Sequence, residues 1–136
     1  MQRFPKAFFD TNVLLYLLCA DAAKADRAED LVAAGGAISV QVLNEFASVA
    51  ARKLGMRHAE IREILGSLRA VCSIVPLRLE IHDRALGLAE RYGFTIYDAL
   101  IVGAALEAGC ATLYSEDLQH GQVIDGALTI ANPFMG

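Results

Sequence analysis

Cysteine is scarce: only Cys19, Cys72 and Cys110 occur in 136 residues. The odd count, the wide spacing and the apolar neighbours exclude a disulfide framework and a zinc site. The three thiols read instead as small buried hydrophobes of a reducing compartment. Proline is equally rare at 3, and no Ser-, Gly- or Gln-rich run is available as a linker. Internal repeats are absent. No continuous apolar run reaches the roughly 20 residues needed to cross a bilayer. The stretch Val13-Leu14-Leu15-Tyr16-Leu17-Leu18-Cys19-Ala20, with Arg3 and Lys6 upstream, imitates an export signal or a lipoprotein cleavage site. It is too short, Asp10 and Asn12 stand just before it, and Leu18 fills the position where processing needs a small residue. A cytoplasmic protein is expected. His58, His82 and His120 are not spaced as a ligand set, and no role is assigned to them. Neither a G-x-S-x-G elbow nor a phosphate-cradling Walker loop is found, so side-chain nucleophiles and nucleotide loops lack a motif.

What the chain does have is a globular composition, 55% apolar and 21% charged. Its length suits one domain over residues 1–136, able to bury roughly two-thirds of the surface its unfolded form exposes. The net charge of −4 is unfavourable for a nucleic-acid enzyme, but the charges are unevenly spread. Arg52, Lys53, Arg57, Arg62 and Arg69 face only Glu60 and Glu63 over that interval. The local surplus permits RNA binding, and a solvated helix face accounts for it equally well.

Short β-like runs alternate with longer helical patterns. Lys6-Ala7-Phe8-Phe9 reads as a first strand, followed by a helix start at Asp10-Thr11-Asn12. Ala22 to Ala34 reads as a helix ended by Gly35-Gly36, and Ala37-Ile38-Ser39-Val40 as a second strand. Gln41 to Leu54 is helical, with Val42, Phe46 and Val49 on one face and Gly55 as terminator. Arg57 to Val71 repeats the pattern with Ile61, Ile64, Leu65 and Leu68. Ser73-Ile74-Val75-Pro76 is a third strand, Leu79 to Tyr92 a helix stopped by Gly93, and Tyr97 to Ala108 a strongly apolar buried helix. Ala111-Thr112-Leu113-Tyr114 is a fourth strand and Ala127 to Ile130 a fifth. The alternation predicts a three-layer α/β domain whose parallel sheet of about five strands is covered on both faces.

In open parallel sheets, ligands sit beyond the carboxyl ends of the strands. Four acids fall there: Asp10 after the first strand, Glu45 in the helix after the second, Asp98 in the first turn of the buried helix, and Asp117 after the fourth strand. Each has a plain structural account. Asp10 suits a helix N-cap, and Thr95 with Asp98 suits a capping box. Asp117 suits a first helical turn after Ser115. Glu45 lies at the edge of the Val42/Phe46/Val49 stripe, where it could face solvent. As a set they call for more, because converging carboxylates repel one another and need a cation. Oxygen ligands without His or Cys select Mg²⁺ or Mn²⁺. The chemistry that suits such a cluster is phosphodiester hydrolysis by metal-activated water.

Phe8-Phe9-Asp10-Thr11-Asn12-Val13-Leu14 resembles the opening of PIN domains. Ser39-Val40-Gln41-Val42-Leu43-Asn44-Glu45-Phe46 is similar to their second motif, Tyr97-Asp98-Ala99-Leu100-Ile101 to the third, and Leu113-Tyr114-Ser115-Glu116-Asp117 to the fourth. The four motifs stand in order over nearly the whole chain. The resemblance, joined to a compact single-domain length that looks like that of VapC-type toxins, implies a ribonuclease in which Asp10, Glu45, Asp98 and Asp117 bind Mg²⁺ or Mn²⁺ directly or through water. It implies that Asn12 and Ser115 orient ligands and solvent, that Thr11 supports the Asp10 turn, and that Glu116 could replace or assist Asp117. It also implies a homodimer neutralised by a small antitoxin whose tail covers the acidic site. Leu14, Leu17 and Leu18 are candidates for such contacts and equally for the core. Two alternatives stay open: a non-catalytic PIN-like module that binds RNA or protein, and a phosphatase-like hydrolase with Asp10 as nucleophile, which would need an acid where Asn12 stands.

Overall fold

A computed structural model describes residues 7–135. Strand β1 (Ala7–Phe9) carries Phe8 and Phe9 in succession, and both are fully buried. Neighbouring strand residues point to opposite faces, so the sheet is covered on both sides at this strand. Asp10 ends β1 and caps helix α1 (Thr11–Leu15), which tightens into a 3₁₀ turn at Tyr16–Leu18. Helix α2 (Ala22–Ala33) starts at Asp21, whose carboxylate accepts from the Lys24 N–H at 3.2 Å. Strand β2 (Gly36–Ser39) begins at a glycine for a packing reason: a Cβ there would lie 2.6 Å from the Phe9 ring. Ser39 caps helix α3 (Val40–Arg52) by accepting from the Val42 N–H.

Helix α4 (His58–Val71) leads directly into β3 (Cys72–Val75). Helix α5 (Leu79–Tyr92) stops at Gly93, which adopts the left-handed conformation that glycine accepts without strain. Helix α6 (Ile96–Glu107) is buried without a break from Ala99 to Ala105. It packs against α5, where Gly103 admits Ile81 and Leu88. Strands β4 (Thr112–Tyr114), β5 (Val123–Ile124) and β6 (Leu128–Ala131) complete a sheet of order β3-β2-β1-β4-β6-β5. Five strands run parallel, and β5 pairs antiparallel with β6 at the edge.

The expected α/β architecture and parallel core are present, with element ends displaced by a residue or two. Lys6, placed in the first strand from the sequence, lies outside the described residues, as does Arg3. Two expectations need correction. The short β5 was not anticipated, and no helix follows Ser115, where the chain runs through bends and a turn. The helix-dipole account of Asp117 therefore has no helix to rest on. Leu14 is buried in the core, Leu17 is half-buried and Leu18 is exposed. The cysteines are unbridged, with Cys72 and Cys110 buried and Cys19 half-buried. Among the described residues no helix is long and apolar enough to cross a membrane.

Candidate active site at the carboxyl ends of β1 and β4

The strand order reverses at β1: β2 and β3 extend to one side, β4 and β6 to the other. Such a switch point opens a crevice where the chains leaving adjacent strands turn apart. The chain leaving β1 delivers Asp10, and the chain leaving β4 delivers Ser115, Glu116 and Asp117. The backbone holds these exits together, since the Asp10 N–H donates to the Tyr114 carbonyl at 3.0 Å.

Asp10 is only 4% exposed and is bound on both oxygens. Oδ1 accepts from the Thr11 N–H at 2.7 Å. Oδ2 accepts from Ser115 Oγ at 2.8 Å and from Asn12 Nδ2 at 3.1 Å. Burial nonetheless pushes the Asp10 carboxyl up to about 6; the Ser115 and Thr11 donors oppose this, and the charges of Asp98 and Glu45 add to it. The Asn12 amide spans both exits. Its nitrogen also donates to Asp117 Oδ2 at 3.2 Å, while its carbonyl accepts from the Glu116 N–H at 3.0 Å. Ser115 is fully buried, and its hydroxyl accepts from the N–H groups of Asp117 and Leu118 at 3.2 Å each. The turn after β4 is thus wound around one hydroxyl, which leaves the Asp117 side chain exposed at the cleft.

The opposite wall comes from α3 and α6. Glu45 is half-buried, and each of its oxygens accepts one bond: Oε1 from Thr11 Oγ1 at 3.0 Å and Oε2 from Gln41 Nε2 at 3.0 Å. Thr11 therefore serves two acids, Asp10 through its backbone and Glu45 through its hydroxyl. Asp98 lies in the first turn of α6, its N–H donating to Thr95 Oγ1 at 3.1 Å. Its carboxyl is raised above the ordinary aspartate value, first by burial and then by the charge of Glu45; Thr95 opposes the shift and Asp117 adds to it.

A cleft of about 360 Å³ brings Asp10, Glu45, Asp98 and Asp117 together with Thr11 and Asn12. Leu15, Ser48, Val49, Arg52 and Lys53 complete its lining. Glu116 is not part of that lining and turns the other way. It accepts from the Tyr16 hydroxyl and pairs with Lys24 Nζ at 3.4 Å. Gln41 escaped the sequence reading, as did the position of Arg52 and Lys53 at the cleft. Helical spacing carried the signal, since Gln41 lies four residues before Glu45 and Arg52 seven after it, on one helix face. His120 has a structural task, its Nδ1 accepting from the Asn132 N–H at 2.9 Å.

The donor set is all oxygen, as Mg²⁺ and Mn²⁺ prefer. Among the described residues no three His, Cys, Asp or Glu side chains are grouped so as to hold one ion directly. Mg²⁺ commonly binds through one or two carboxylates and keeps several waters, so a group of three direct ligands is not required for it.

The sequence matches the model of the PIN domain family over residues 7–124. The chain belongs to the PIN domain family. Solved structures share this PIN fold at low identity. A toxin–antitoxin complex from Klebsiella pneumoniae superposes with a TM-score of 0.71 at 23% identity, covering 94% of this chain and 98% of that one. VapC20 of Mycobacterium tuberculosis, a toxin that cleaves the sarcin–ricin loop, gives 0.67 at 20% identity over 82% of this chain and 89% of its own. VapBC2 from Rickettsia felis, solved on a DNA fragment of its promoter, gives 0.64 at 18% identity over 93% and 98%. No curated protein matches the sequence.

Proposed function

We propose that this PIN domain is a Mg²⁺- or Mn²⁺-dependent ribonuclease and the toxin of a toxin–antitoxin pair. One observation carries the reading: Asp10, Glu45, Asp98 and Asp117, drawn from four separate stretches of chain, line one cleft at the sheet's switch point. A bound divalent ion would supply the Lewis acidity that lowers the pKa of a water and offsets charge on the pentacoordinate phosphorus. The protein's own part is to keep the acids in place. Ser115 and Asn12 fix Asp10, Thr11 and Gln41 fix Glu45, and Asn12 ties Asp117 to the same frame. Water attacks the phosphorus and the P–O ester bond breaks; the proton the water loses passes through a carboxylate of the cluster to the departing oxygen, leaving a phosphate monoester and a free hydroxyl.

Asn12 disfavours the phosphatase alternative. It donates to both Asp10 and Asp117, which the second acid of such an enzyme could not do. With Ser115 and the Thr11 N–H it also keeps both Asp10 oxygens engaged in hydrogen bonds. The fold shared with toxin–antitoxin proteins supports an antitoxin partner, whose basic side chain would enter the acidic cleft. A homodimeric toxin in the cytoplasm belongs to the same proposal.

The test is to map new RNA 5′ ends in cells after brief induction, beside the Asp98→Asn variant. Ends that appear with the wild type alone are expected. If neither protein generates ends, despite soluble expression and no co-expressed inhibitor, the domain is a binding module and the nuclease reading fails.

A further inference from the structure

A second depression adjoins the carboxylate cleft. It has a volume of about 420 Å³ and is lined by Gln41, Asn44, Glu45, Ser48, Arg52 and Tyr97. This lies within the roughly 300–1,000 Å³ of sites that hold small ligands. Glu45, Ser48 and Arg52 belong to both depressions, so the two form one groove that continues past the acids. Five of its lining residues share one face of α3, and the sixth, Tyr97, comes from α6 immediately before Asp98.

The chemistry of this extension differs from that of the cleft. Tyr97 is 62% exposed, and among the described residues no aromatic ring packs on it. Arg52 is exposed and donates from Nε to Ser48 Oγ at 3.1 Å, a bond that orients its guanidinium without neutralising it. No carboxylate pairs with Arg52 among the described residues. Asn44 is exposed beside them, with an amide able both to donate and to accept. An open ring, an unneutralised guanidinium and a free amide along one groove are the three contacts that an unpaired nucleotide uses: stacking, a phosphate clamp and a base edge. A duplex could not use them, because its bases are already stacked and paired.

We propose that this extension is a subsite for one unpaired nucleotide of an RNA strand, its base stacked on Tyr97, its edge met by Asn44 and its phosphate held by Arg52. The subsite deepens the ribonuclease reading and rests on it. It places the neighbouring phosphodiester over the carboxylates, so the base on Tyr97 would set where the strand is cut.

The experiment measures binding of fluorescein-labelled, unstructured RNA 20-mers by anisotropy, using the full-length Asp98→Asn protein with Mg²⁺ as a host that does not consume them. In that host Tyr97→Ala weakens binding about tenfold, and Tyr97→Phe, which keeps the ring, stays within about twofold. Arg52→Gln weakens binding on every sequence and lowers the slope of log K against log salt by about one. On the otherwise wild-type enzyme, Tyr97→Ala shifts the positions of cleavage. If the wild type cleaves RNA while Tyr97→Ala changes neither binding nor cleavage positions, the subsite is wrong and the ribonuclease reading stands. If the wild type does not cleave but Tyr97→Ala still weakens binding about tenfold and Tyr97→Phe does not, the subsite is right and the catalytic reading is wrong. If there is neither cleavage nor binding, both fall.

Discussion

On one side of the cleft, Asp10 is sunk into the corner between β1 and β4 and takes three hydrogen bonds, from Thr11, Asn12 and Ser115. On the other side, Glu45 and Asp98 project from helices α3 and α6, half-buried. The corner is built at strand ends, where backbone pairing and a buried hydroxyl leave little freedom. The wall is built from side chains on helix surfaces, where a neighbour can change without disturbing the sheet. One cleft therefore joins acids fixed by the sheet to acids carried on helix surfaces, where the neighbours of the acids, rather than the acids themselves, are free to vary. The fixed part is held at a cost, because a carboxylate buried among other acids resists ionisation.

Breaking the corner should have the largest effect. Asp10→Asn is expected to remove RNA cleavage, as read by gel assay with Mn²⁺, while leaving a folded protein. The same variant exposes the cost. Asp10 titrates near 6 in the folded protein against 3.8 for the ordinary side chain, so the native state takes up the proton first. The contribution of this group to stability is fully present below the ordinary value and is lost as pH rises through 6. The loss is about 3 kcal/mol at most, from the size of the shift. Urea melts of metal-free wild type should weaken between pH 4 and pH 7, and those of Asp10→Asn should weaken less. Saturating Mn²⁺ should stabilise the wild type more at pH 8 than at pH 5, since protons and cations compete for the same oxygens.

Ser115→Ala tests the corner one step further out. The substitution removes the donor to Asp10 and the acceptor for two N–H groups, with an expected cost of about 1–3 kcal/mol in urea. Activity should fall roughly 10–100-fold as Asp10 and Asp117 lose their frame. The wall should respond least. Gln41→Ala frees one oxygen of Glu45 and is expected to lower activity about tenfold, with about 1 kcal/mol lost in stability. If Gln41→Ala proved as damaging as Ser115→Ala, the division between a fixed corner and an adjustable wall would be wrong.

The sequence revealed the corner better than the wall for a physical reason. Asp10 and Asp117 sit where a strand stops, and short apolar runs ending in a polar residue are visible locally. Glu45 could be placed at the edge of an apolar stripe, and its helix then brought it to the cleft. Choosing between Glu116 and Asp117 was beyond a local reading. Adjacent residues leave a turn in different directions, and the direction here depends on Tyr16 and Lys24, about a hundred residues away in the chain. No helix follows Ser115, although its hydroxyl accepts from the next N–H groups as an N-cap would; the chain bends after that single turn instead. Strand β5 escaped notice at two residues, although the Asp125-Gly126 pair that turns it back, both residues at positive φ, is a recognised hairpin signal.

The Asn12 amide carries one further consequence. Its two ends face opposite demands: the carbonyl receives an N–H, and the nitrogen serves two acids. An aspartate there would match it in size and shape yet present an oxygen to Asp10 and Asp117, whereas an alanine would only leave space that water can enter. Tolerance at this position should thus run against resemblance, with the closest-looking replacement the most damaging, and a substitution score built on side-chain similarity would rank the two the wrong way round.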